Sequence, residues 1–362
     1  MSDPKRIIVR APNWIGDQIL AYPFFYYLRK IYPKSTIAVL SVPWVKSIQF
    51  CKQVDEIIEL PQPEDSSLLS KFEALELAAK RVKDAGPWDL GICLPNSFSA
   101  AWIFFRAGVL RRRGYKADGR SWLLNECADW KKGIERHRSE AYTDLLFEKK
   151  SLETLRFWGE PAEDELDPAL PGVIQSEGKV FDLAGEWPGE RISPPETPYW
   201  ILAPGTTAES RRWPVYSFQQ IARKMADQTS WRGLILGGPK EKEVAEILTS
   251  DPTLRLEDWT GKGPVSSYWP VFQKAQFTLS NDSGLAHVAA FCGSSVQVVW
   301  GAGNPHRTRP IGPGRAQVIL NPVPCWPCER NICAQPEGAR LQCIQGLDPE
   351  LVWKEILSGL GK

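Results

Sequence analysis

The stretch RIIVRAPNWIGDQILAYP, residues 6–23, holds the first unit of the fold in miniature. Its apolar, β-branched start reads as a buried strand. Asn13 to Gly16 read as the turn that follows, and a helix is predicted over 17–32 with Asp17 at its opening. A strand that feeds a helix through a short turn is half of a βαβ unit, and the pattern recurs downstream. TIAVLSV (36–42), a helix near 45–51, EIIEL (56–60), a charged helix over 68–84 and DLGICLP (89–95) follow in order. That alternation predicts a parallel α/β sheet.

Between 159 and 198 the chain turns rich in Pro, Gly and acids (GEPAEDELDPALPGV, GEWPGERISPPETP) and loses periodicity, so the linker is placed there. The alternation then restarts with YWILAPG (199–205), a helix over 217–228, GLILGG (233–238), a helix over 240–249, QFTLSND (276–282), a helix over 284–292 and VQVVWG (296–301). The expected organisation is a first Rossmann-like domain over 1–190, a second over 191–347, and a final helix within 348–362 that returns to brace the first. A chain of 362 residues is long enough for two cores and a cleft between them.

Composition excludes several classes. With 43% hydrophobic and 24% charged residues and a formal charge of +1, the chain is neither disordered nor fibrous, and its net charge names no nucleic-acid partner. No window reaches the roughly 20 apolar residues of a membrane span, and MSDPKRIIVRAP has no signal-peptide pattern. A cytoplasmic location is therefore expected, with any membrane contact peripheral.

Candidate chemistry collects at the ends of predicted strands. In open α/β sheets ligands bind at that carboxyl edge. Gly16 permits close approach of a substrate, and Asp17 is placed to act as a base or as an N-cap. In the second half, APGTTAESRRWP and SNDSGLAHVAA each follow a strand, and the latter opens a helix. Ser283 and Gly284 at a helix N-terminus offer N–H groups and the positive end of the dipole to a diphosphate. Thr206, Thr207 and Arg211 add hydroxyl and guanidinium donors. The alternative for this motif is a plain helix capped by Asp282 or Ser283, with His287 as a packing residue. Glu241, in LGGPKEKE, suits a ribose hydroxyl or the helix dipole. No two aspartates form an Asp-x-Asp pair, so no divalent metal and no cofactor is expected in catalysis.

A basic run that includes Arg112, Arg113 and Arg120 suits an acidic acceptor or a solvated face, and the interleaved Trp102, Tyr115 and Trp122 suit sugar stacking or packing. Cys325, Cys328, Cys333 and Cys343 have the ligand count of a structural zinc site, although only the first spacing is typical. Buried free thiols are the alternative.

NWIGD, LPNSFSAAWIFFRAG with the later GRSWLLN, APGTTAESRRWP and SNDSGLAHVAA, in this order, resemble the ADP-heptose:lipopolysaccharide heptosyltransferases of glycosyltransferase family nine, nearly end to end and most closely their heptosyltransferase II branch. The resemblance implies the GT-B architecture, an N-terminal acceptor domain and a C-terminal domain for ADP-L-glycero-D-manno-heptose. It implies an inverting transfer to the heptosyl-Kdo-lipid A inner core at the inner membrane. Asp17 then matches the general base, and Arg211 a donor-phosphate position usually held by lysine. Thr206, Thr207, Glu241, Asp282, Ser283, Gly284, Leu285 and His287 fall on donor positions. Asn13, Gly16, Asn96, Ser97 and the arginines are expected to orient the acceptor. The competing readings are a nucleotide-sugar epimerase or hydrolase on the same fold, and a non-catalytic binder of anionic glycolipid.

Overall fold

The computed structural model describes residues 3–50, 52–130, 136–146, 172–176 (backbone only) and 187–361. The chain divides into two compact units, Met1–Leu155 with Gly185–Pro188, and Arg156–Ala184 with Gly189–Lys362.

The first unit holds a parallel six-stranded sheet of order β3-β2-β1-β4-β5-β6. Its strands are β1 (Arg6–Arg10), β2 (Thr36–Ser41), β3 (Glu56–Glu59), β4 (Leu90–Cys93), β5 (Arg111–Lys116) and β6 (Glu126–Asp129). Ile7 of β1 lies opposite Ile37 on one side and Leu90 on the other, and Ile7, Ile8 and Val9 are fully buried. Apolar runs without polar alternation form such strands because helices cover both faces of the sheet.

The helices are α1 (Ile15–Leu20), α2 (Tyr22–Ile31), α3 (Leu68–Asp84), α4 (Phe98–Arg106) and α5 (Arg138–Thr143). The single helix expected over 17–32 is two, broken at Ala21, because Pro23 sits in the first turn of α2 and cannot continue a preceding helix. The helix expected near 45–51 is a 3-10 turn, Pro43–Ile48.

β5 is the larger departure. RRRGYK is an internal strand, and its arginines are tied down within the fold. Arg111 and Arg113 both pair with Glu126 of the neighbouring β6, at 2.5 and 2.8 Å. Burial pushes the Glu126 carboxyl up, but the two guanidinium groups outweigh it and hold the group below its usual value.

The second unit repeats the scheme, with sheet order β10-β9-β8-β11-β12-β13-β7. Its strands are β7 (Gly172–Ser176), β8 (Tyr199–Ala203), β9 (Arg232–Ile235), β10 (Leu256–Asp258), β11 (Thr278–Asn281), β12 (Val296–Trp300) and β13 (Ala316–Leu320). The helices are α6 (Val215–Gln228), α7 (Lys242–Thr249), α8 (Trp269–Lys274), α9 (Gly284–Phe291), α10 (Pro305–Thr308), α11 (Gln342–Gln345) and α12 (Pro349–Gly359). β7 is the antiparallel edge strand, paired with β13 from Gly172 opposite Leu320 to Ser176 opposite Ala316. Much of the expected linker, 159–198, lies outside the described residues, but β7 falls within it and belongs to the second sheet. The first domain therefore does not run unbroken to residue 190.

Trp200 stacks on Phe277 with ring centroids 5.4 Å apart, and the buried Trp213 donates its indole N–H to the Leu347 carbonyl at 3.1 Å. Val352, Trp353 and Ile356 of α12 join Ile221 and Met225 of α6 in this core. The terminal helix thus packs in the core of the second unit, because its apolar face matches that of α6. Among the described residues no helix is long and apolar enough to cross a membrane.

Candidate active site

In each sheet the order in which successive strands are added reverses at the first strand, between β1 and β4 and between β8 and β11, while these strands stay parallel. Loops diverge there and leave a crevice at the carboxyl edge, the usual ligand position of this architecture.

In the first unit, the loops at the reversal are those after β1 and β4. Asp17 is the third residue of α1, whose N-cap is Trp14 with no side-chain cap, so the N-cap alternative for Asp17 does not hold. Its carboxylate lies close to the Tyr142 phenol and 4.0 Å from Arg138 Nε. Burial first, then the Asp17 charge, raise the Tyr142 phenol well above its ordinary value, so it stays protonated as a donor. α5 is tied in place by Ser139 Oγ, which donates to the Leu20 carbonyl at 2.7 Å, and by the Tyr115 hydroxyl, which donates to the Ala141 carbonyl at 2.6 Å. A carboxylate at a helix start beside a protonated phenol and a guanidinium group is half-buried, in a setting that suits a general base. Asn13 accepts from Arg10 at 2.5 Å and Gly16 is buried in α1, so both shape the turn.

The other residues expected to meet the acceptor have partners within the fold, and of these Arg113 and Arg120 are buried. Ser97 is the N-cap of α4, and Asn96 Oδ1 accepts from Arg120 at 3.3 Å. Arg120 is fully buried and gives its guanidinium to the carbonyls of Tyr115, Pro95 and Ser97. Arg113, also buried, serves Glu126 and the carbonyls of Leu145 and Leu146. Arg112 donates to the Leu123 and Val109 carbonyls, at 2.7 Å each. These groups hold loops together because orphan carbonyls below the surface need donors.

In the second unit, the loops after β8, β11 and β12 converge. Asn281 Nδ2 donates to the Pro204 carbonyl at 2.6 Å, Thr206 Oγ1 to the Asp282 carbonyl at 3.2 Å, and Ser280 Oγ to the Ala203 carbonyl at 3.2 Å. Glycines permit the approach. A Cβ on Gly301 would stand 2.0 Å from the Ser210 carbonyl, and one on Gly303 would stand 2.8 Å from Asp282 Oδ2. Arg211 Nε is 3.3 Å from Asp282 Oδ2, an ion pair whose acidic side chain is buried and whose guanidinium side chain is about a third exposed.

α9 opens at this junction. Ser283 is its N-cap by position but makes no side-chain cap, so the plain capped helix does not form. The first-turn N–H groups of Gly284 and Leu285 face an end with positive dipole and no capping oxygen. His287 is buried; burial and then the Arg211 charge push its imidazole down to about 3, so it is neutral. Glu241 turns one oxygen to the Gly238 N–H at 2.8 Å and packs against Gly205 and Gly237, which places the other beside the loop after β8.

Sequence reasoning missed Tyr142 and left Arg138 in an undifferentiated basic run. No local signal ties either to Asp17, since only the packing of α5 on α1 and α2 brings them together. Cys325, Cys328, Cys333 and Cys343 line one cavity of about 350 Å³. Burial and then the neighbouring thiols push Cys343 up to about 11. Among the described residues no three His, Cys, Asp or Glu side chains are grouped as a metal ligand set.

Two doubly wound sheets with ligand loops at both reversal points, one with a positioned carboxylate and one with an anion-ready helix start, define an α/β enzyme of the nucleotide-binding class. The chain belongs to glycosyltransferase family 9 (heptosyltransferase), whose family model matches residues 78–337. It is 25% identical over 321 residues to lipopolysaccharide heptosyltransferase 2 of Escherichia coli K12, covering 87% of each chain. It is 24% identical over 311 residues to lipooligosaccharide heptosyltransferase 2 of Haemophilus influenzae, covering 84% of this chain and 86% of that one. The solved structure of E. coli ADP-heptose lps heptosyltransferase II superposes with a TM-score of 0.70 at 21% identity over 98% of each chain. The fold is thus the GT-B fold of that structure.

Proposed function

We infer that this enzyme moves L-glycero-D-manno-heptose from ADP-heptose to the heptose of a lipopolysaccharide inner core, with inversion. The observation that carries the reading is the uncapped start of α9 beside Arg211 and Thr206, in a chain of glycosyltransferase family 9. ADP leaving from a sugar develops negative charge on its diphosphate. N–H groups of Gly284 and Leu285, the hydroxyls of Thr206 and Thr207 and the Arg211 guanidinium suit that charge without a divalent metal. The free oxygen of Glu241 suits a ribose hydroxyl.

Asp17 takes the proton of the acceptor hydroxyl as its oxygen bonds to the anomeric carbon and the bond to the ADP oxygen breaks. Tyr142 and Arg138 favour the ionised carboxylate that this step requires. The acceptor is the inner-core heptose on Kdo-lipid A, and the enzyme works as a peripheral protein at the cytoplasmic face of the inner membrane.

The test incubates the purified chain with ADP-heptose and heptosyl-Kdo-lipid A and locates the added sugar by mass spectrometry. Transfer is expected to survive a chelator, to fall at least a hundredfold in Asp17→Ala, and to leave ADP affinity in that variant within about twofold. ADP release without any acceptor would move the assignment to a hydrolase, and full turnover by Asp17→Ala would remove the base.

A further inference from the structure

We propose that the first turns of α3 and α4 form a surface that docks this unit onto an anionic lipid bilayer. Of the fourteen large apolar side chains exposed among the described residues, eleven belong to the first unit. They are not scattered. Leu68, Leu69 and Phe72 stand out from the start of α3, with Leu68 85% and Leu69 68% exposed, and Phe98, Phe105 and Trp122 stand out from α4 and the 3-10 turn Ser121–Leu123.

The two helices are locked side by side. Glu76 of α3 accepts from Trp102 Nε1 at 3.0 Å and pairs with Arg106 at 2.7 Å, both on α4. Each helix follows a parallel strand of one sheet, so both run the same way, and Phe72 and Phe98 lie one turn before Glu76 and Trp102. The aromatic rings touch one another: Phe98 is 6.0 Å from Trp102 and 6.2 Å from Trp122, and Phe105 is 5.9 Å from Trp122. Ser67 caps α3 and Asp118 accepts from the Phe98 N–H at 2.7 Å, so the apolar residues are held outward on formed helices rather than on frayed ends. Exposed apolar side chains held on two helices that are locked together in this way mark an interaction site.

Charge selects the occupant. The first unit, residues 1–155 with 185–188, holds 24 Lys and Arg against 20 Asp and Glu, although the whole chain is only +1. The first unit is therefore positive and the remainder negative. A self-interface through this face would bring two positive units together, whereas an anionic headgroup layer attracts them, and Trp and Phe suit the boundary between headgroups and acyl chains. α4 starts directly after Asn96 and Ser97, at the sheet edge that carries Asp17, so docking there would present that edge to lipid-borne sugars. The choice of a bilayer rests on the proposed glycolipid acceptor.

The experiment sediments the full chain with vesicles of phosphatidylglycerol and phosphatidylethanolamine, and with vesicles of phosphatidylcholine alone. The wild type is expected to partition at least tenfold more strongly to the anionic vesicles. A Leu68→Ser, Leu69→Ser, Phe72→Ser variant, with its unaltered melting curve verified, is expected to lose at least tenfold of that binding while transferring heptose to a soluble, deacylated acceptor at the wild-type rate. Equal binding by wild type and variant, or absence of wild-type binding, overturns the proposal. So does a variant whose only change is in oligomeric state by light scattering, which would assign the face to a second copy. A wild type that binds vesicles but transfers no heptose would sink the transferase reading and leave this one standing.

Discussion

The Tyr142 phenol lies against the Asp17 carboxylate, whose charge adds to burial in keeping the hydroxyl protonated, and so relates α5 to the first turn of α1. A hydrogen bond to a charged group contributes roughly 1.5 kcal/mol, which corresponds to about one pH unit in a carboxyl titration. Tyr142→Phe is therefore expected to move the acid limb of the kcat profile upward by about one unit, since the variant stabilises the ionised base less. kcat on the neutral plateau should change little, with the donor KM unchanged, so that the loss is confined to acid pH. A wild-type pH profile in Tyr142→Phe would deny the contact any role in positioning the base.

Arg211 and Asp282 form the second key pair, 3.3 Å apart with the carboxylate side chain buried. Arg211→Ala removes both a phosphate donor and the counter-charge of Asp282. ADP affinity is expected to fall about tenfold or more, together with a drop in thermal stability. Arg211→Lys restores charge without the planar fork, so calorimetry should place it between the two. Undiminished ADP binding by Arg211→Ala would exclude the guanidinium from the donor site.

His287 sets a pH dependence of stability. Its imidazole, pushed down to about 3 in the folded chain, returns to about 6.5 on unfolding, so between those values the unfolded chain binds more protons. Stability contributed by the neutral ring is present above about 6.5 and is lost as pH falls, by at most roughly 1.4 kcal/mol per unit. Urea denaturation at pH 7 and pH 5 should show a larger decrease for wild type than for His287→Asn. Equal slopes would mean that the ring does not titrate differently in the two states.

Arg120 has no exposed surface and its donors reach three carbonyls. Arg120→Met is expected to destabilise the first unit by about 3 kcal/mol, because those carbonyls lose their donors. Urea titration reads this directly. An acceptor KM that rises without any stability loss would return Arg120 to the acceptor site.

The sequence was legible where local pattern and site coincide. The βαβ alternation, the turn before Asp17 and the helix start at Ser283 could all be read from strings of a dozen residues, because strand burial and helix termini are local matters. It misled at RRRGYK, where a charge run disguises a strand. Arginine fits inside when a carboxylate from the next strand and nearby carbonyls meet it, and Glu126 is not identifiable as that partner from spacing.

What the amino-acid order determined alone is therefore the doubly wound plan in two units, and the residues delivered to the strand ends. Tertiary structure decided which of those residues are free to act. Packing of α5 supplied Tyr142 and Arg138 to Asp17, while burial withdrew Arg113 and Arg120 from any ligand and gave α12 to the second unit, and backbone pairing with β13 gave it β7. The physical reason is range: hydrophobic period and capping act within a few residues, whereas desolvation and charge pairing depend on neighbours that only the folded chain brings near.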